Sequence, residues 1–181
     1  MTTMKSPVKT TILFDLESTG LLRRGSKIHC IVARDIHDLA NPMVYDHRDD
    51  STIDMGVEML RRADILVGHN IIGYDIPLIK ESYDLQFPAQ ILDTLVLSRL
   101  FYPHILDRDY ERRPEGMPAK LYGRHSLEAW GYRLKCFKGD YAKHEDCWEV
   151  YTPEMLDYCI QDTEVTVKLF QLMQRRMNDY A

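Results

Sequence analysis

A chain of 181 residues can bury one substantial core, and its 45% hydrophobic and 28% charged residues are ordinary for a globular domain. The net charge of −5, from 23 Lys and Arg against 28 Asp and Glu, argues against coating duplex nucleic acid through a broad basic face. No apolar run approaches the roughly 20 residues of a membrane helix, and residues 1–11 lack a secretory signal's apolar stretch. A single domain spanning 1–181, in the cytoplasm, is the expectation. Cys30, Cys136, Cys147 and Cys159 form no C-x-x-C pair, and they read as reduced core or incidental residues. Cys136, His144 and Cys147 match no standard zinc spacing.

Residues 10–14 (TTILF) form a β-rich apolar run that ends on the polar group DLESTG, a core strand delivering acidic side chains. Residues 27–35 and 41–46 read as two further strands, and a turn at 38–42 makes the three a meander. Helical spacing follows over 53–63, with Met55, Val57, Met59 and Leu60 available to pack, and 64–68 (DILVG) is a buried strand. After His69 and Asn70 comes a helix over 74–83, then a short strand at 90–93 and a helix at 94–101. Residues 102–122 hold Pro103, Pro114, Gly116 and Pro118 among mixed charges and read as a long loop. Helices resume over 125–134 and 152–176, the second N-capped by Thr152 with Pro153 in its first turn. Strands first, then α/β alternation, predict an α/β fold with a mixed sheet flanked by helices.

Three acidic elements stand out. Asp15 and Glu17 are two apart on a strand, so both side chains share one face, where a divalent cation would relieve their repulsion. Hard oxygen donors favour magnesium or manganese. Asp75 ends an N-x-x-x-Y-D element, Asn70 to Asp75, between a buried strand and a helix. Tyr158 and Asp162 stand at i and i+4 on one face of the long helix, beside Met155, Val165, Leu169 and Leu172. Each alone has an ordinary structural explanation: an exposed strand end, compensation of a helix dipole, a buried hydrogen-bonded pair.

Taken together and in order, Asp15, Glu17, Asp75, Asp162 and Tyr158 resemble the acids and tyrosine of the DEDD-type 3′–5′ exonucleases, tyrosine subgroup. Residues 93–100 (DTLVLSRL) and 125–134 (HSLEAWGYRL) look like the proofreading domain of family-A DNA polymerases from T-odd bacteriophages. The resemblance runs from about residue 11 to the last helix, and it implies an RNase H-like fold. It also implies hydrolysis of single-stranded or frayed DNA 3′ ends to 5′-mononucleotides, with two Mg2+ or Mn2+ ions held by Asp15, Glu17, Asp75 and Asp162. Tyr158 would orient the attacking water. Leu21 matches the family position of an apolar wedge against the terminal base, and Asn70 and Arg124 are further candidates for substrate contact. The basic and aromatic residues of 102–122 suit a single strand, but Asp107, Asp109, Glu111 and Glu115 nearly cancel the charge, so a solvated surface loop is expected.

The resemblance further implies the cytoplasm of an infected bacterial host, no membrane, and either a freestanding exonuclease or an excised domain. A separate DNA polymerase subunit is compatible with it. An RNA-trimming exonuclease of the same fold and an inactive scaffold stay open as alternatives. So does a metal-dependent phosphatase acting on small molecules.

Overall fold

The computed structural model describes residues 9–20, 25–48, 52–87, 89–136 and 148–179. Leu21, His144 and Cys147 lie outside them. Five strands form one sheet: β1 (Thr11–Ser18), β2 (Ile28–Asp35), β3 (Asp38–Tyr45), β4 (Ile65–Gly68) and β5 (Gln90–Asp93). Their order is β3-β2-β1-β4-β5, antiparallel across the first three and parallel from β1 to β4 to β5. The helices are α1 (Ile53–Arg62), α2 (Asp75–Tyr83), α3 (Thr94–Phe101), α4 (Ile105–Arg112), α5 (Leu127–Arg133) and α6 (Pro153–Asp179), with a 3-10 turn at Ala119–Leu121. This is the mixed sheet flanked by helices that the sequence predicts.

Central β1 is covered on both faces, and its alternation sorts the two layers. Ile12, Phe14 and Leu16 join Val57 and Leu60 of α1 and Ile76 and Ile79 of α2 in the largest core cluster. Leu13 points the other way, to Val67 and Phe170 of α6. Asp15 and Glu17 follow Leu13 at two-residue spacing, so the pleat directs them toward α6. Arg34 fastens that helix to the sheet: its Nε donates to Thr163 Oγ1 at 2.9 Å and its Nη1 to Leu39 O at 2.6 Å.

Two expectations need correction. The turn expected at 38–42 lies earlier, at Ile36 and His37, and Pro42 sits within β3. β3 is an edge strand, where a missing N–H need not cost a ladder bond. The long loop expected over 102–122 contains α4 and the 3-10 turn. The face of α4 that is buried consists of Ile105 and Asp109, so hydrophobic periodicity finds no helix there.

Gly68 ends β4 where the chain passes close to β1. A Cβ there would lie 2.8 Å from Phe14 O and 2.3 Å from Ile71 Cγ2. Gly68→Ala is therefore expected to destabilise the fold by roughly 1–3 kcal/mol, the usual cost of overpacking. Urea melts check it, and an unchanged midpoint would show that this contact relaxes freely.

Candidate active site

The carboxylates meet where the end of β1, the start of α2 and the N-terminal half of α6 converge. The β1–β2 pairing shifts register between Glu17 and Ser18 at this point. Asp15 is half-buried and Glu17 is buried. Burial pushes the Asp15 carboxyl well above its ordinary range, and the charges of Asp75 and Asp162 push it further. Glu17 is likewise raised, by burial first and then by Asp15. Cys159 on α6 donates its S–H to Asp15 Oδ2 at 3.6 Å. Asp15, Glu17 and Cys159 can each offer a ligand atom within 4.8 Å of the others.

Asp75 owes its place to the turn between β4 and α2. Asn70 holds φ at 64°, a left-handed conformation that asparagine tolerates better than most residues. Its carbonyl accepts from Gly73 and Tyr74, and Gly73 has no Cβ to strike the Asn70 side chain. Buried Asp93 anchors this turn: its carboxylate accepts from the backbone N–H of Asn70 at 2.9 Å, Ile72 at 3.1 Å and Leu95 at 2.8 Å. Tyr74 closes the other side by bonding Ser18 and the Gly20 carbonyl. Asp75 is then buried against β1. Desolvation raises its carboxyl to about 7, although the N–H groups of Leu16 and of Asp75 itself partly offset this.

Thr152 Oγ1 caps α6 as expected, accepting from Met155 N at 3.1 Å. Tyr158 and Asp162 lie one turn apart, and the Tyr158 hydroxyl donates to Asp162. The ring of Trp148 packs edge-on against Tyr158, with centroids 5.9 Å apart, and the Trp148 carbonyl meets His29 Nε2 at 3.0 Å. Burial, then the negative charge of Asp162, Glu17 and Asp15, drives the phenol pKa upward. Tyr158 therefore keeps its proton at neutral pH.

Of the residues suggested for substrate contact, Asn70 and Arg124 line one hollow of about 430 Å³ together with His69, Arg99 and His125. Half-buried His69 is held neutral, desolvation lowering its pKa to about 4, while its Nδ1 lies 2.9 Å from Thr94 Oγ1. Sequence reasoning missed two residues here. Cys159 gave no signal beyond adjacency to Tyr158. Asp93 did give one, since an Asp at a strand-to-helix junction is a ready N-cap.

Buried carboxyls with raised pKa values and no cation bonded to them among the described residues suit a divalent ion. Acids from a strand end and two helices, with a protonated tyrosine beside them, define the class: a carboxylate cluster of the DEDD arrangement, consistent with divalent-metal use.

The chain is 33% identical, over an alignment of 183 positions, to the DNA-directed DNA polymerase of Escherichia phage T7. It is 31% identical over 185 to that of Enterobacteria phage T3. Each alignment covers 88% of this chain and 26% of the relative, so the chain spans about a quarter of their length. Its backbone resembles NrnC of Brucella melitensis with bound Mg2+, with TM-score 0.62 and 16% identity over 93% of this chain and 74% of that one. NrnC bound to pGG gives TM-score 0.62 at 15% identity over the same shares, 93% and 74%. The zinc-bound E. coli ExoI–ssDNA complex gives 0.52 at 17% identity, over 95% of this chain and 42% of that one. At such identities these structures establish the fold. No protein-family model matches the chain. Together with the phage homology, the fold and the carboxylate cluster support a DEDD-type exonuclease.

Proposed function

We propose that this chain is a metal-dependent 3′–5′ exonuclease that trims single-stranded or frayed DNA ends to 5′-mononucleotides. The observation that carries it is the convergence of Asp15, Glu17, Asp75 and Asp162, with protonated Tyr158, in one cluster of mutually interacting groups. Asp15, Glu17, Asp75 and Asp162 would hold two divalent ions. Bound there, such ions neutralise the phosphodiester, activate water and stabilise the leaving 3′-oxygen. The chain's own residues do the positioning. Tyr158, a donor to Asp162, orients the attacking water and is no base. Asp93 keeps the Asn70 turn, and hence Asp75, in register with β1.

Asn70 and Arg124 line a polar, partly cationic hollow that would suit a strand's last phosphates. Leu21, as the wedge against the terminal base, belongs to the same reading. The setting proposed is the cytoplasm of an infected bacterium, as a freestanding enzyme or as part of a polymerase. No described helix is long and apolar enough to cross a membrane.

The deciding assay follows 5′-labelled single-stranded DNA with magnesium, beside matching RNA and pGG. A ladder that shortens progressively supports the proposal. Early release of labelled mononucleotide reverses the polarity, and faster loss of RNA or pGG moves the substrate to RNA. Cleavage that persists in excess chelator refutes the metal role.

Tyr158→Phe tests the water-orienting hydroxyl. Losing one transition-state hydrogen bond typically lowers a rate roughly ten- to a thousandfold. Single-turnover rates should fall by that much while metal-induced stabilisation persists. Full activity would relegate Tyr158 to packing against Trp148.

A further inference from the structure

Toward the end of α6 away from the carboxylates, a pocket of about 530 Å³ opens between α4, α5 and the C-terminal part of α6. Six lining side chains are cationic: Arg108, Arg112, Arg113, Arg133, Lys135 and Arg176. Asp109 and Glu115 are the acids that line it, and the Asp109 carboxylate is already bonded to Arg133. In a chain of net charge −5, such a surplus around one hollow is not a consequence of composition. Like charges this close repel unless an anion lies among them.

A second observation points the same way. Arg133 commits Nε and Nη2 to Asp109, at 2.9 and 2.7 Å, but its buried Nη1 meets no acceptor among the described residues. Its side chain is only 9% exposed, and its guanidinium lies 5.0 Å from the Trp130 ring centroid. Arg108 and Arg176 lie against the Tyr102 ring, at 5.1 and 5.5 Å. Arginines held on aromatic rings are planar donors fixed in advance, and their fork matches phosphate oxygens.

The pocket also shows which part of a ligand it reads. Tyr102 and Trp130 are 6% and 3% exposed and already carry guanidinium groups, so they offer a nucleobase no open face for stacking. The volume suits a group of small-molecule size and not a duplex. Arg176 lies fourteen residues beyond Asp162 on α6, which separates pocket and cleft by roughly 21 Å along the helix.

We propose that this pocket is a second phosphate-binding site, which takes a phosphate group of a nucleotide outside the catalytic cleft. The nucleotide origin rests on the nuclease reading; the anion chemistry does not. The phosphate can come from the strand upstream of the end being trimmed or from a free mononucleotide.

Binding to the full chain in excess chelator separates these sources without requiring hydrolysis. The probes are inorganic phosphate, dAMP and a twelve-residue oligothymidylate, and the variants are Arg112→Glu and Lys135→Glu, on opposite walls. Both wild-type residues are exposed and in no ion pair among the described residues, and thermal melts confirm that each variant folds. We expect each reversal to weaken binding at least tenfold. The slope of log affinity against log salt should also become shallower, by about 0.7 for each phosphate no longer neutralised. Weakening confined to the oligomer assigns the site to the strand, and weakening confined to phosphate and dAMP assigns it to a free nucleotide. The proposal is overturned if wild type binds none of the probes, or if both variants bind all of them as wild type does. A chain that binds phosphate here yet cuts no DNA would defeat the nuclease reading alone.

Discussion

Asp15→Ala is expected to abolish DNA hydrolysis yet leave the metal-free fold as stable as the wild type, or more so. The reason lies in the charge the cleft stores. Asp15 and Glu17 are raised by burial and by neighbouring carboxylates, and Asp75 is raised from 3.8 to about 7. The folded state therefore holds these protons to higher pH than the unfolded chain does. Above about pH 4 the unfolded chain releases them freely, so metal-free stability should fall as pH rises from there to about 7, by on the order of a few kcal/mol. Excess manganese should reverse the trend, because an ion that binds only the folded state stabilises it by about 2.7 kcal/mol at a hundred times its dissociation constant. In Asp15→Ala both the pH dependence and the metal response should be blunted. Melts of both proteins at pH 5 and pH 8, with chelator and with manganese, are the measurement. A marked metal-free loss of stability in the variant, with an undiminished manganese response, would assign Asp15 a structural role.

The parts of the fold legible in the sequence are those whose physics is local. The apolar run before Asp15, the DILVG strand and the Thr152-Pro153 helix start carry their signals within a few residues. The acids were legible because strand period and helix period each put two side chains on one face. What was not legible depends on distant partners. Met55 has the spacing of a packed residue but is 54% exposed, because α1 buries Val57 and Leu60 instead. Asn41-Pro42 has turn chemistry, yet strand pairing with β2 holds Met43 to Tyr45 and the edge position tolerates the proline. Cys159 entered the site only because α6 crosses β1 at that level. The charges of 102–122 look mutually cancelling in sequence, but in space Asp109 turns inward to Arg133 and the remaining arginines gather around a pocket.

Asp109→Ala should be among the most destabilising substitutions outside the core. Asp109 is 2% exposed and accepts three hydrogen bonds: two from Arg133, and one from Gly123 N at 2.8 Å. These partners hold its carboxyl below the ordinary range despite burial. It is also half of the buried face of α4, so it does for that helix what a leucine would do elsewhere. Removing one partner of a buried pair leaves the other charge desolvated, typically at a cost of about 3–5 kcal/mol. The stranded group here would be Arg133, whose Nη1 already lacks an acceptor among the described residues. Replacing both, as Asp109→Ala with Arg133→Met, removes the stranded charge and should recover much of the stability. Urea melts of the two single variants and the double variant give the coupling directly. A single Asp109→Ala variant within about 1 kcal/mol of wild type would mean that water replaces the carboxylate, and that α4 stays seated on Ile105 alone.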